Sequence, residues 1–230
     1  MISQTVFVYG EKEVEYLASR DAKLGAAMKE IGHIERPTQP DLFVALVDSI
    51  VGQQISSKAQ ATVWGRMVER FEPMTPERIA AATQEELQSV GISFKKAGYI
   101  KEIALSVLDG RIDLAGLHAM NDEEVSSHLV QIKGIGVWTA EMLMIFSLQR
   151  PDIFSKDDLA IIRGLRMIYH HRKITPALFT KYKRRYSPYA SVASLYLWAI
   201  SSGACPHLKD HAPMTQAQKT AKAKKRKAGQ

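Results

Sequence analysis

Apolar residues recur along most of the chain at intervals of three and four. Phe43, Leu46, Val47, Ile50 and Val51 fall at i, i+3, i+4, i+7 and i+8, the stripe of a helix that faces a core. Pro40-Asp41 ahead of it suits a helix start. Thr75-Pro76 reads as an N-cap followed by proline at the first helical position. Thr83 with Glu86, and Asn121 with Glu124, have the spacing of a capping box, the second opening a helix toward Val130. Thr175-Pro176 and Ser187-Pro188 read as two further starts. The one strand-like run, Thr5 to Tyr9, is too short to build a sheet. The pattern predicts an all-α protein of about ten helices, with loops at 36–40, 71–76 and 110–121 and no internal repeat.

Composition narrows the class. The chain has 230 residues and 46% apolar residues, enough to bury a sizeable core. No run approaches the roughly 20 apolar residues of a membrane span, and the first residues do not resemble a signal peptide. A single cysteine, Cys205, rules out an internal disulfide and a four-cysteine iron–sulfur cluster, and predicts a cytoplasmic protein. The net charge of +7 points to nucleic acid only at first sight. Residues 212–230 hold six basic residues and no acid, leaving +1 on residues 1–211. A DNA face must then come from local placement, such as Lys95-Lys96 or Lys181 to Arg185. The tail is expected to be disordered.

Residues 131–141 read Gln-Ile-Lys-Gly-Ile-Gly-Val-Trp-Thr-Ala-Glu. A helix ends, a tight Gly134-Ile135-Gly136 turn follows, and a second helix starts near Val137. Glycines allow a close backbone approach, and a helix N-terminus presents N–H groups and a positive dipole end to a phosphate. Two glycines in an ordinary helix–turn–helix connection look the same.

Four ordered segments, however, resemble the helix-hairpin-helix DNA glycosylase superfamily, and within it the 3-methyladenine glycosylase II branch. They are Ile50 to Ser56 (a Gly-Gln-x-x-Ser segment), Gly91 to Ile100 (Gly-Ile-Ser-x-x-Lys-Ala-x-Tyr), the hairpin just described, and Phe154 to Leu159 (an aspartate loop). The match covers about residues 40–200. It implies two helical lobes, one of about residues 1–54 plus 151–211 and the other of about 55–150, with a DNA-binding cleft between them. With about 40 residues before the first motif, the chain resembles the short form of the family.

The resemblance also implies chemistry. The bond from a base to C1′ is hidden in duplex DNA, so the nucleotide must be flipped out. The oxocarbenium-like transition state calls for a fixed negative charge and an attacking water. The family's carboxylate matches Asp158, at a position where the helix dipole favours its ionised form. Taken alone, Asp157 and Asp158 also look like N-caps. Trp138 stands where strand-cleaving relatives carry a Schiff-base lysine, which implies a monofunctional enzyme. Trp138 and Trp198 match base-pocket aromatics, able to attract a cationic alkylated purine, although both residues also suit a core. Met142 stands where some members have a further pocket aromatic. Gln53, Gln54, Ser56, Lys133, Gly134, Gly136 and Thr139 match DNA-contacting positions. Gln54 stands at the residue that fills the gap left by the flipped base. The family's hairpin can hold Na⁺ or K⁺ on carbonyls matching Val130, Ile132 and Ile135; no other cofactor is implied.

The reading is a monomeric glycosylase that excises alkylated purines such as 3-methyladenine from double-stranded DNA. Two alternatives stand beside it. One is a glycosylase for oxidised or deaminated bases. The other is a non-catalytic protein that binds DNA structure, in which a carboxylate at Asp158 has no use. Cys205, His207 and His211 lack a fourth zinc ligand, and His170-His171 reads as a solvated helix face.

Overall fold

The computed structural model describes residues 5–213, so the basic tail lies almost wholly outside the described residues. Within them the fold is helical, with twelve α-helices and one 3₁₀ turn. The Thr5–Tyr9 run forms a single bridge, Val6 opposite Pro37, rather than a strand. By its contacts the chain divides into two compact units. Unit 1 comprises Met1–Val8 and Glu35–Ile153, and unit 2 comprises Tyr9–Ile34 and Phe154–Gln230.

In unit 2, α1 (Glu11–Arg20) and α2 (Ala22–Ile31) are joined at Asp21, whose Oδ1 caps α2 by accepting from Lys23 N at 3.1 Å and Leu24 N at 3.0 Å. The same unit holds α10 (Leu159–Tyr169), α11 (Pro176–Tyr186) and α12 (Ala190–Ser201). All of α12 is buried except Trp198 and Ala199, which are half-buried. Such a helix, apolar all round, belongs in the middle of a bundle, and α2, α10 and α11 pack against it. The expected helix start at Ser187-Pro188 is corrected: Ser187 closes α11 by donating its N–H to Lys183 O at 3.0 Å, and α12 opens only at Ala190.

In unit 1, α3 (Leu42–Gly52) is capped by Asp41, which accepts from Val44 N at 3.0 Å. It buries Leu42, Phe43, Ala45, Leu46, Val47, Ile50 and Val51. Each large side chain so buried contributes about 1.5–3 kcal/mol. Helix α3 packs on α4 (Ser57–Phe71), α7 (Phe94–Leu108) and α9 (Val137–Phe146). The expected grouping of residues 1–54 with the C-terminal helices differs from this at α3, whose apolar stripe faces unit 1. Short helices α5 (Pro76–Ala81) and α6 (Gln84–Gln88) lie on α7, and a turn at Gly116–Ala119 leads to α8 (Asp122–Leu129). Both expected capping boxes are formed, at Thr83/Glu86 and Asn121/Glu124.

Candidate functional site

The hairpin joins α8 to α9. Below Leu129 the chain tightens: Ile132 N donates to Leu129 O at 3.1 Å and Ile135 N to Ile132 O at 2.9 Å. Ile132 and Ile135 are buried and tie the loop to the core of unit 1. Gly134 between them has φ 96°, in the left-handed region that favours glycine. A Cβ there would also lie 2.7 Å from Cδ2 of Tyr99. Gly136 is the N-cap of α9, and as a glycine it brings no side-chain acceptor to the first N–H groups of that helix. A Cβ on Gly136 would meet nothing within 4 Å, so the approach to this helix end is open.

Around that end, Lys133 is exposed, and Val137 and Trp138 are 46% and 48% exposed, high for apolar side chains beside a helix start. Met142, one turn on, is half-buried, and Thr139 is buried at 9% exposure. Of the carbonyls expected to hold a cation, that of Ile132 already accepts the Ile135 N–H. One lone pair remains on it, and neutral carbonyl oxygens suit a hard monovalent ion.

The turn after α3 lies against the hairpin inside unit 1. Gln53 Nε2 donates to Gly134 O at 2.7 Å, so this amide bonds the hairpin. Gln54 is exposed and has φ 58°. Ser56 caps α4 through Ala59 N at 3.3 Å. Lys96, expected on a DNA face, donates Nζ to Val51 O at 2.9 Å and Gln53 O at 2.6 Å. It therefore faces inward, whereas Lys95 is exposed, its Nζ 5.6 Å from the Tyr99 ring centroid.

In unit 2, Asp158 is the N-cap of α10. Its Oδ1 accepts Ala160 N and Ile161 N, both at 2.9 Å, and the residue is 6% exposed. These two backbone N–H bonds fix the carboxyl group at the start of the helix. Asp157 is exposed. The structure thus separates two adjacent aspartates that look alike in sequence. Leu159, at the first helical position, is 84% exposed. It falls outside the buried row of Ile161, Leu165 and Ile168. Trp198 lies on α12, the helix against which α10 packs.

Charge is segregated. Among the described residues, unit 1 has eleven Lys/Arg and sixteen Asp/Glu, and unit 2 has fourteen and eight. The near-neutral body conceals a net −5 and a net +6. Residues 159–213 hold nine Lys/Arg and one acid, Asp210. Asp210 pairs with Arg166 at 2.7 Å, and Arg185 pairs with Asp21. Lys181, Lys183 and Arg184 are exposed, with no ion pair among the described residues.

No group of three or more His, Cys, Asp or Glu able to hold a metal occurs among the described residues. Cys205 is buried, His207 lies 3.5 Å from Glu30, and His211 bonds His170 at 2.8 Å. No helix among them is long and apolar enough to cross a membrane.

Among the described residues the chain is thus helical, with a glycine-turned hairpin in unit 1 and a buried carboxylate capping a helix of unit 2. The chain belongs to the HhH-GPD superfamily of base excision DNA repair proteins, whose family model matches residues 47–188. It is 34% identical over 164 residues to DNA-3-methyladenine glycosylase 1 of Schizosaccharomyces pombe, covering 69% of this chain and 72% of that protein. It is 28% identical to DNA-3-methyladenine glycosylase 2 of Escherichia coli over 187 residues, covering 76% and 62% respectively. Among solved structures, a DNA-3-methyladenine glycosidase from Bacillus halodurans superposes with a TM-score of 0.79 at 32% identity, over 90% of this chain and 97% of that one.

Proposed function

We propose that the protein is a monofunctional DNA glycosylase that excises alkylated purines, such as 3-methyladenine, from double-stranded DNA. The observation that carries the reading is Asp158, a buried carboxylate held by two N–H groups at a helix start, in a chain of this family. The matched proteins named 3-methyladenine glycosylases support the substrate class, as does a Schizosaccharomyces pombe relative solved with abasic DNA, at 29% identity and TM-score 0.66 over 83% of this chain and 97% of that one.

In this reading the open end of α9, with Gly134, Gly136 and Lys133, grips a phosphate. Thr139 contributes through its backbone, since its side chain is buried. Gln54 fills the gap left by the flipped nucleotide. Trp138, Trp198 and Met142 serve the base, the indoles attracting its positive charge. Asp158 stabilises the oxocarbenium-like sugar and polarises water. The water oxygen bonds to C1′ as the C1′–N bond breaks. The alkylated base leaves with the electron pair, neutral, and the water passes its proton to the Asp158 carboxylate. A cationic base is already a good leaving group, so no strong general acid is required. Carbonyls of Val130, Ile132 and Ile135 are the residues that would hold a monovalent cation, which would add positive charge beside the phosphate. The protein acts as a monomer in a reducing compartment such as the cytoplasm.

The test is release of free bases from methylated DNA, resolved by chromatography, with Asp158→Asn as control. Asparagine keeps the N-cap acceptor and removes the charge, so the variant should fold, bind DNA at least as tightly and release no base. Release near the wild-type rate would overturn the assignment of Asp158.

A further inference from the structure

Lys96 and Tyr99 stand three residues apart on α7 and so share a face of that helix. Each supports a different part of the DNA-facing apparatus of unit 1. Lys96 Nζ donates to Val51 O at 2.9 Å and to Gln53 O at 2.6 Å. The Val51 carbonyl belongs to the last turn of α3, where carbonyls lack partners within the helix, and the ammonium lies at the negative end of the helix dipole. Gln53, held through its own carbonyl, donates Nε2 to Gly134 O at 2.7 Å. Gly134 lies against the Tyr99 ring so closely that no side chain fits between them. The contacts close a circuit from Lys96 through Gln53 and Gly134 to Tyr99 and back to α7. Gln54, next in the chain, is exposed in a left-handed conformation.

The residue type fits this task. The two carbonyls need two N–H donors from one point on a long stem, and a lysine ammonium supplies three. Lys96 is half-buried, and that burial pulls its pKa down, which marks an inward-facing group rather than a phosphate-seeking one.

We propose that Lys96 is a positioning residue that never touches DNA. It sets Gln54 relative to the hairpin, so that gap filling and phosphate grip engage together when the nucleotide flips. The proposal rests on the glycosylase reading above and on Gln54 as the gap-filling residue.

The experiment compares base release by wild type, Lys96→Met, Lys96→Arg and Gln54→Ala on two substrates, the lesion in a fully paired duplex and the same lesion in single-stranded DNA, which needs no unpairing. Lys96→Met keeps the apolar stem and removes the donors. It should lose about tenfold or more on the duplex, about 1.4 kcal/mol, with a much smaller loss on the single strand. Lys96→Arg should restore much of the duplex activity. Gln54→Ala should show the same selective loss, and the double variant should be no worse than the poorer single one, because both act on one step. If Lys96→Met melts below the assay temperature, Lys96→Gln provides the same comparison. Equal losses on both substrates, or additive losses in the double variant, would show that Lys96 is only structural. A wild-type protein that releases no base from either substrate overturns the glycosylase reading itself, and this proposal with it.

Discussion

Gly164 on α10 lies so close to Leu197 on α12 that a Cβ at Gly164 would stand 2.6 Å from the Leu197 carbonyl oxygen and 3.1 Å from its Cα. Both obstacles are on the backbone and cannot swing away. Asp158 begins α10, and Trp198 follows Leu197, so this contact fixes the spacing of the helices that carry them. Gly164→Ala should therefore cost about 1–3 kcal/mol, the usual range for overpacking. Urea unfolding measures the loss; a wild-type midpoint in the variant would show that α10 can move away freely.

Acid should weaken unit 2 through Asp21. Burial alone raises the pKa of this carboxyl, but hydrogen bonds from the Tyr169 hydroxyl, Leu24 N and Arg185 outweigh it and hold the pKa below the ordinary value. A depressed carboxyl pKa adds stability above the unfolded pKa, near 3.9, and loses it as pH falls through the folded value. Asp21→Asn should then lower the melting temperature at pH 7 and flatten its decline below about pH 4. Equal slopes for both proteins in that window would remove Asp21 from acid unfolding. Asp21→Ala, which removes both the N-cap of α2 and the partner of half-buried Arg185, should cost more than Asp21→Asn at neutral pH.

The reaction product is a third expectation. An indole cannot form a Schiff base, so in the proposed reaction, with Trp138 at the position of the lysine, water is the nucleophile. Borohydride added during turnover should trap no protein–DNA adduct, and the strand should stay intact until alkali treatment. Efficient trapping that disappears in Lys133→Ala would show an amine nucleophile instead.

Salt dependence tests where the positive charge acts. Each neutralised duplex phosphate contributes about −0.9 to the slope of log K against log salt. Replacing Lys181, Lys183 and Arg184 by Gln should flatten that slope by up to about 2.7 if each meets a phosphate. Removing residues 212–230 should flatten it separately. An unchanged slope would mean that the altered charges do not meet the duplex.

The helical class, several N-caps and the hairpin were legible in the sequence because each depends on neighbours within about four residues. Thr83/Glu86, Asn121/Glu124 and the Gly134-Ile135-Gly136 turn carry their geometry in local backbone preference, and they formed where expected. Asp158 as a helix N-cap was also legible, whereas its burial was not. The tertiary structure decided the rest. Lys95 and Lys96 are chemically identical, and only the packing of α7 under the end of α3 turns one outward and the other toward two carbonyls. Asp21 gave no local sign beyond an N-cap, because its partners Tyr169 and Arg185 lie 148 and 164 residues away. Ser187-Pro188 has the composition of a helix start, yet a backbone bond to Lys183 assigns Ser187 to the preceding helix. The near-neutral body resolved into oppositely charged halves only once the fold had grouped its segments. Short-range capping and turn preferences are written residue by residue, whereas the direction of a long side chain and the partner of a buried charge depend on which distant surfaces the core brings together.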